Sequence, residues 1–302
     1  MICVFGSINM DLTATTDRLP SPGETVSGNS FATAPGGKGA NQALAATRAG
    51  AQVKMAGAVG QDDFAASSIE LLKTAGTDLS FIKSVEGPTG TALILVGGDG
   101  ENMIAVVPGA NGKVVSEDAE LLLKSMSAGD SILLQMEIGV AAVKTALLSA
   151  RKHNIRSVFN TAPMAPEAIA LAPLADIIVA NETEFDLLIE KGTLTDEQRL
   201  DELKHYAEQT GRSVVITLGG DGVIAQHEGA FYKTMGLTIE PVDTVGAGDT
   251  FCGYLTQGLD AGLSFEQSLT QAAIAGSLAC LKAGAQPAIP TASEVAKAMK
   301  SA

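Results

Sequence analysis

A glycine-rich stretch in the last third of the chain, Asp243-Thr-Val-Gly-Ala-Gly-Asp249, carries two carboxylates. Apolar residues recur at every fourth position after it, which predicts a helix that begins near Gly246–Asp249. The first N–H groups of a helix have no partner within it, and the helix dipole adds positive potential there. Because glycine has no Cβ, a phosphate can approach these groups. Gly246, Ala247 and Gly248 could therefore form an anion hole for phosphoryl transfer.

Asp249 falls in the first turn of that helix. An acid at this position can cap the helix. It can also act as general base for a substrate hydroxyl that attacks a phosphate. A carboxylate beside an anion site repels the anion, which makes capping alone an awkward use of the acid. The spacing leaves both roles open.

A second glycine-rich loop, Pro35-Gly-Gly-Lys-Gly-Ala-Asn41, precedes an alanine-rich segment with a helical pattern. It lacks the G-x-x-x-x-G-K-[ST] spacing of a Walker A loop. Its glycines permit close approach of the backbone to a ligand, and Lys38 and Asn41 supply hydrogen-bond donors. A helix-entry loop with a solvated lysine explains the same residues.

Polar residues follow the first apolar run in Gly6-Ser-Ile-Asn-Met-Asp11. At strand spacing Asn9 and Asp11 share a face, where an amide and a carboxylate could hold two sugar hydroxyls. A turn or an Asx-type cap is the alternative.

Two later loops also follow predicted strands. Asn181-Glu-Thr-Glu184 has the spacing of a capping box, and the same side chains could serve phosphate and Mg²⁺ through water. Thr217-Leu-Gly-Gly-Asp-Gly222 is by itself a hairpin turn. Beside a phosphate site it would be a nucleotide-binding loop.

Short apolar runs alternate with helical patterns, which predicts an α/β protein with a parallel sheet covered on both faces. The predicted strands are Ile2–Ile8, Val53–Val59, Ser131–Gln135, Ser157–Asn160, Asp176–Ala180 and Ser213–Leu218. The predicted helices are Gly39–Ala49, Asp62–Ala75, Val140–Lys152, Asp196–Gln209, Gly248–Ala261, Phe265–Lys282 and Ala292–Ser301. In such sheets ligands bind outside the carboxyl ends of the strands.

Two segments, 12–34 and 89–110, interrupt this alternation with strand-like runs around turn signals such as Gly97-Gly-Asp-Gly100. They predict β-hairpins outside the main sheet, which together could form a small antiparallel sheet as a lid over one edge of the core. Surface hairpins without a lid role are the alternative.

Composition narrows the classes of partner. The 302 residues include 20 Lys and Arg against 34 Asp and Glu, a formal charge of −14, which disfavours nucleic acids and anionic membranes. The three cysteines are widely spaced and form no C-x-x-C, which favours a reducing cytoplasm. The three histidines are scattered, so a His/Cys metal site is not expected. Neither a signal peptide nor a membrane span is expected.

The order of these motifs resembles that of the ribokinase family, the sugar and nucleoside kinases of the phosphofructokinase-B type. The resemblance spans essentially the whole chain and rests on Gly6–Asp11, Pro22-Gly-Glu-Thr25, Gly36–Asn41, Asn181–Glu184, Thr217–Gly222, Asp243–Asp249 and Gly284-Ala-Gln-Pro287. It implies a single domain over residues 1–302, with three α/β/α layers, a mainly parallel central sheet and a β-sheet lid. It also implies a homodimer in which the lids of two subunits clasp.

The resemblance further implies ATP-dependent transfer of the γ-phosphoryl group to the 5-hydroxyl of D-ribose, with Mg²⁺ and K⁺ as cofactors. Asp249 would be the base, beside the anion hole of Gly246, Ala247 and Gly248. The implied sugar-binding residues are Asn9, Met10, Asp11, Gly37, Lys38, Gly39, Asn41, Glu137 and Asp249. The implied nucleotide and Mg²⁺ residues are Asn181, Glu184, Thr217, Leu218, Gly219, Gly220, Asp221, Gly222 and Gly248. The implied K⁺ ligands are the Asp243 carboxylate and the carbonyls of Val245, Ala279, Lys282, Gly284 and Ala288.

Two positions depart from the family pattern. Ala273 stands where a polar residue often lies near the adenine, and Ala288 stands where a serine can occur near the cation. The nearest alternative function is the same transfer to 2-deoxyribose, another sugar or a nucleoside. A non-catalytic sugar sensor is a further alternative, against which the intact Asp249 argues. A nicotinamide-binding Rossmann protein would need G-x-G-x-x-G after the first strand, which is absent.

Overall fold

The structure, a computed structural model, describes residues 1–300. Its strands are β1 (Ile2–Phe5), β2 (Asn9–Thr16), β3 (Gly28–Gly36), β4 (Val53–Val59), β5 (Asp78–Ser84), β6 (Gly90–Val96), β7 (Asn102–Val107), β8 (Ser131–Leu134), β9 (Arg156–Asn160), β10 (Ile177–Asn181), β11 (Ser213–Thr217), β12 (Val223–His227) and β13 (Ala230–Thr234). Its α-helices are α1 (Lys38–Arg48), α2 (Phe64–Ser68), α3 (Glu70–Ala75), α4 (Ser116–Lys124), α5 (Val140–Lys152), α6 (Pro166–Leu171), α7 (Glu182–Leu188), α8 (Asp196–Thr210), α9 (Ala247–Asp260), α10 (Phe265–Ala279), α11 (Ala285–Ala288) and α12 (Ala292–Met299).

The larger sheet has nine strands in the order β13-β12-β11-β10-β9-β8-β1-β4-β5. The strands from β11 to β5 in this order are all parallel, and the β12–β13 hairpin adds an antiparallel edge. All six predicted strands lie in it, so the mainly parallel sheet is confirmed. The sequence pattern missed β5 because this edge strand is half exposed and includes Asp78, Ser80 and Lys83.

Both faces of this sheet are covered. Along β1, Cys3 and Phe5 join one buried apolar cluster, while Ile2 and Val4 join another. The first cluster includes residues of α4 to α8, and the second includes residues of α1, α3, α9, α10 and α12. Because alternate strand residues point to opposite faces, two clusters on one strand mean three α/β/α layers.

The second sheet has four strands in the order β3-β2-β6-β7. Its outer pairs are antiparallel hairpins, but the central strands β2 and β6 are parallel, so the prediction of an antiparallel sheet was wrong. The reason is that β2 follows β1 and β6 follows β5, and both of these parallel strands send the chain out at the same edge of the core. The sheet also begins earlier than expected, since Asn9 is its first residue in β2 rather than part of a main-sheet strand.

Three predicted helices differ from the structure by more than one residue at an end or are divided in two. The segment Asp62–Ala75 forms two helices that meet at Ile69, whose ψ of 1° leaves the helical range. The helix from Phe265 ends at Ala279, because the chain turns there and the next carbonyl, of Cys280, accepts the N–H of Val242. The last helix ends at Met299, and Ser301 lies outside the described residues.

Within residues 1–300, no helix combines the length and the apolar character that crossing a membrane requires.

Candidate active site

The predicted site residues meet at the carboxyl edge of the parallel sheet. Gly6–Asp11 follow β1, and Glu137 lies shortly after β8. Asn181 ends β10, and Thr217–Gly222 begin at the end of β11. Since these strands are parallel, the loops that follow them lie at one edge, where the N-terminus of α1 also packs.

Asp249 does not cap its own helix. Helix α9 begins at Ala247 after Gly246, whose φ of 78° is a left-handed conformation that favours glycine. The Asp249 carboxylate instead accepts hydrogen bonds from two side-chain amides of α1. Asn41 Nδ2 lies 2.9 Å from Oδ2, and Gln42 Nε2 lies 2.9 Å from Oδ1. The acid is therefore held between two helices, which removes the capping alternative.

The start of α9 has unpaired backbone donors. Ala247 N–H donates to Thr244 O at 3.3 Å, whereas the N–H groups of Gly248 and Asp249 have no acceptor among residues 1–300. A Cβ at Gly248 would meet nothing within 4 Å, so a ligand has room to approach the backbone at this residue. An anion placed there would meet two N–H groups and the positive end of a 14-residue helix.

The Pro35–Asn41 loop packs against protein. The N–H groups of Gly39 and Ala40 donate to Ser7 Oγ and Ser7 O, at 3.2 and 2.9 Å. A Cβ on Gly39 would lie 2.5 Å from Ser7 N, so this glycine is needed for helix α1 to approach the loop after β1. These two N–H groups are therefore used within the protein, and the sugar-binding role of the loop stays a prediction.

Glu137 ties the same two segments together. Its Oε2 accepts from Ser7 Oγ at 2.5 Å and from the backbone N–H of Lys38 at 3.1 Å. Both bonds go to one oxygen, which leaves Oε1 as the acceptor that Glu137 can offer to a ligand.

Asn9 and Asp11 lie on strand β2 of the small sheet, and Asp11 lies near Glu137 and Asp249 of the core. Asn111 Oδ1 accepts the Ile8 N–H at 2.9 Å, and Asn111 Nδ2 donates to Ile8 O at 3.1 Å and to Asn9 Oδ1 at 2.7 Å. Asn9 therefore keeps its own NH₂ group for a ligand. Asp11 lies over Gly36, where a Cβ would be 2.2 Å from Asp11 Oδ2. Met10, between them, is buried.

Three carboxylates lie near the Lys38 ammonium group, and a fourth, that of Asp11, lies near two of them. Burial raises the pKa of Asp11 to about 6, and the negative charges of Glu137 and Asp249 contribute. Burial lowers the pKa of Lys38, but the carboxylates of Asp249, Glu137 and Glu184 together raise it above its ordinary value. Glu137 and Asp249 therefore lie near both Asp11 and Lys38, and Lys38 is the counter-charge of Glu137, Asp249 and Glu184.

The two loops predicted for the nucleotide adopt their local structural forms. Asn181 Oδ1 accepts from Glu184 N at 2.8 Å and Glu184 Oε2 from Asn181 N at 3.0 Å, which makes the capping box of α7. Thr217–Gly222 is the turn of the β11–β12 hairpin, closed by a 2.8 Å bond from Leu218 N to Gly222 O. Neither geometry tests a nucleotide role, which stays a prediction.

The sequence model of the pfkB family of carbohydrate kinases matches residues 1–292. The chain belongs to the pfkB family of carbohydrate kinases. A ribokinase of Bacillus subtilis (strain 168) is 36% identical over 97% of each chain. A deoxyribokinase of Salmonella typhi is 28% identical over 96% of this chain and 95% of its own. The structure of Arabidopsis thaliana ribokinase complexed with ribose and ATP is 32% identical, with a TM-score of 0.89 over 99% of this chain and 98% of that one.

In this pfkB kinase the residues predicted to bind K⁺ are partly assembled. Asp243 Oδ1 accepts from Val245 N at 2.9 Å and Oδ2 from Gly284 N at 2.8 Å, which joins the loop before α9 to the segment after α10. Each oxygen keeps a further lone pair, and carbonyls with a carboxylate are a donor set that suits a hard cation. Ala279 and Ala288 are buried at the ends of α10 and α11, and the Lys282 side chain pairs with Glu294. The donor types fit, and the ion itself stays a prediction.

Four residues that shape the kinase site were not predicted from the sequence, namely Ser7, Gln42, Asn111 and Gln135. Each forms a hydrogen bond with a predicted site residue or with a partner of one, and these bonds join residues from 32 to 207 positions apart. A signal was present for Gln42 and Gln135, since a glutamine follows Asn41 in an alanine-rich helix and another follows the apolar strand β8. Both are fully buried.

Two surface clefts, of about 560 and 470 Å³, lie at the opposite edge of the sheet, where β9, β10 and β11 begin. Arg151, Arg156 and Arg212 line them and donate to the carbonyls of Pro173 and Leu259 at 3.0 to 3.1 Å. None of the predicted site residues lines either cleft. We assign these arginines to holding chain segments together.

Proposed function

We propose that this carbohydrate kinase transfers the γ-phosphoryl group of ATP to the primary 5-hydroxyl of D-ribose, which yields ribose 5-phosphate. The observation that carries the proposal is the first turn of α9. It presents open N–H groups at Gly248 and Asp249, and the Asp249 carboxylate beside them is held by Asn41 and Gln42. One turn thus supplies both an anion site and a base. The similarity to ribokinases over nearly the full chain supports ribose as the acceptor.

In the proposed reaction the site holds the sugar from two sides. Asn9 and Asp11 approach from the small sheet, and Lys38, Asn41 and Glu137 lie on the core. Amide and ammonium donors together with carboxylate acceptors suit the hydroxyls of a pentose, because each hydroxyl can both accept and donate a hydrogen bond. The 5-hydroxyl is placed at Asp249, which accepts its proton as the oxygen attacks the phosphorus in line. The N–H groups of Gly248 and Asp249 stabilise the charge that develops on the phosphoryl oxygens.

The charge of the site explains why cations belong to the proposal. The four carboxylates of the site, with one lysine, repel a triphosphate, so backbone N–H groups and bound cations must offset the repulsion. Mg²⁺ supplies charge neutralisation on the phosphates, and Asn181 and Glu184 would hold it through water. Asp243 with the carbonyls of Val245, Ala279, Lys282, Gly284 and Ala288 would hold K⁺ behind the anion hole. The loop Thr217–Gly222 would contact the nucleotide, and Ala273 in α10 offers the adenine only an apolar side chain.

The test of the acceptor is a coupled kinase assay with ATP and Mg²⁺ over D-ribose, 2-deoxyribose, other pentoses, hexoses and nucleosides. We expect D-ribose to give the highest kcat/KM and NMR of the product to show phosphate on the 5-oxygen. A site that hydrogen-bonds the 2-hydroxyl discriminates against the deoxy sugar, because its polar groups are then left unpaired. A higher kcat/KM for 2-deoxyribose or for a nucleoside would replace ribose as the acceptor. No transfer to any of them would contradict the proposed function.

The test of the base is Asp249→Asn. We expect kcat to fall by about 10²- to 10⁴-fold, because the amide cannot accept the hydroxyl proton. Ribose binding, measured by calorimetry, should change little, since the side chain keeps its shape. Near-normal turnover would show that Asp249 is not the base.

The three cysteines, Cys3, Cys252 and Cys280, are free and buried. Free thiols support the proposal that the enzyme works in a reducing cytoplasm.

A further inference from the structure

We propose that Gln42 and Gln135 are positioning residues that orient the Asp249 carboxylate for proton transfer. Neither would contact the substrates, because both are fully buried. The inference rests on the proposed function, with Asp249 as the base, and names how the protein holds that base in place.

The two glutamines form a directed chain of hydrogen bonds that ends on Asp249. Gln135 Nε2 donates to Gln42 Oε1 at 2.5 Å, and Gln42 Nε2 donates to Asp249 Oδ1 at 2.9 Å. Because Gln42 Oε1 is occupied by a donor, the NH₂ end of Gln42 is the end that faces the carboxylate. Gln135 therefore determines which way the Gln42 amide points.

This pair of hydrogen-bonded glutamines costs folding free energy that an apolar pair would not. Gln135 Oε1 is buried and has no hydrogen-bond partner among residues 1–300. A buried polar atom without a partner destabilises a protein, because it has lost its hydrogen bonds to water. The fold also makes room for it, because a Cβ on Gly6 would lie 1.9 Å from this oxygen. Stability alone does not account for two glutamines here, which favours a role in the reaction.

The role follows from the geometry of the carboxylate. Asn41 restrains Asp249 Oδ2 and Gln42 restrains Oδ1, so the carboxylate plane cannot rotate about its terminal torsion, which is otherwise soft. One lone pair on each oxygen remains free for the acceptor hydroxyl. A displacement of about 1 Å at a reacting group can cost on the order of 100-fold in rate. Loss of the Gln42 bond frees one side of the base and should act on the chemical step.

The variants are Gln42→Met and Gln135→Met, which keep side-chain length and remove hydrogen bonding. We expect kcat to fall by about 10- to 100-fold for Gln42→Met and by a smaller factor for Gln135→Met. KM for ribose and for ATP should stay within a few-fold of the parent value. Gln226→Met is the matched control, since Gln226 is also a buried glutamine but lies on β12, outside the site, and its kcat should not change.

A double-mutant cycle separates positioning from a general structural role. If Gln42 acts through Asp249, Gln42→Met should cause no further loss of kcat in the Asp249→Asn background. A loss of the same size in both backgrounds would overturn the inference. So would a kcat for Gln42→Met equal to that of the control. If Gln42→Met does not fold by circular dichroism, Gln135→Met decides, and an unchanged kcat there overturns the inference.

The same kcat measurements, on the parent enzyme and on Asp249→Asn, test the proposed function separately. No phosphorylation by the parent enzyme, or near-normal turnover of Asp249→Asn, would remove the proposed base and, with it, the positioning role of the two glutamines. If the parent is active, Asp249→Asn is inactive and Gln42→Met keeps the parent kcat, only the role of the glutamines is removed.

Discussion

The carboxylates of this site differ in what holds them, and the sequence could show only part of that. Their place after strands or at a helix start was predictable, because those signals are local. Their partners were not, since Asn41 and Asp249 are 208 positions apart and Lys38 and Glu137 are 99 apart. The choice between cap and base for Asp249 was therefore open in the sequence. It is decided against the cap by two amides on another helix.

Asp11 carries the residue-scale prediction. Its pKa of about 6 lies above the ordinary 3.8, so the folded, ligand-free enzyme disfavours the charged form. The buried Asp11 carboxyl therefore costs no stability below pH 4, where it is protonated, and destabilises the folded state as pH rises through about 6. Asp11→Asn should therefore raise the free energy of unfolding near pH 8, by on the order of 1 to 2 kcal/mol. This is the size of a two-unit shift discounted for partial exposure.

Urea unfolding of the parent and of Asp11→Asn at pH 4, 6 and 8 measures the effect. The difference should be close to zero at pH 4 and largest at pH 8. Asp201→Asn, on the exposed face of α8, is the control and should show no such trend. A constant difference at all three pH values would mean that burial of charge at Asp11 is not its cause.

At the scale of elements, local patterns succeeded and long-range arrangements did not. The bounds of β4 and α5 agree with their predictions, because period and flanking turns lie within each segment. The parallel centre of the small sheet was missed, since it depends on where β1 and β5 end in the core. The contact between α1 and α9 was also invisible in the sequence, although the base depends on it.

Gly253 carries the element-scale prediction, because it sets the distance between α1 and α9. A Cβ there would lie 2.5 Å from the Ala45 Cβ and 2.7 Å from the Gln42 carbonyl oxygen. Gly253→Ala should push the helices apart, lower the free energy of unfolding by about 1 to 3 kcal/mol, and lower kcat as the α1 amides leave Asp249.

Thermal unfolding and steady-state kinetics check both effects of Gly253→Ala. Gly192→Ala is the control, since a Cβ at Gly192 meets nothing within 4 Å, and neither quantity should change. Parent-like kcat in a folded Gly253→Ala would show that the site tolerates a wider spacing of the two helices.

At the scale of the whole molecule, the small sheet leaves apolar residues uncovered. Asp11, Ala92 and Val106 lie side by side in the register, and Ile94 and Ile104 follow two residues along the same face. Ile104 and Val106 are 55% and 52% exposed. The strand β7 that carries them is also an open sheet edge. Exposed apolar residues on a free edge mark an interface rather than a solvated surface.

We propose that a second copy of this chain covers this face, as the family resemblance implied for the lid. The same face carries Asn9 and Asp11, so a partner seated there would also hold the small sheet over the sugar. Ile104→Asp should then convert a dimer into a monomer in sedimentation velocity at micromolar concentration, because a charge cannot be buried unpaired in the interface. The KM for ribose should rise in the same variant. Leu148→Asp is the control, since this leucine is 47% exposed on α5 and should leave the sedimentation coefficient unchanged. A monomeric parent, or a dimeric Ile104→Asp, would place the interface elsewhere or remove it.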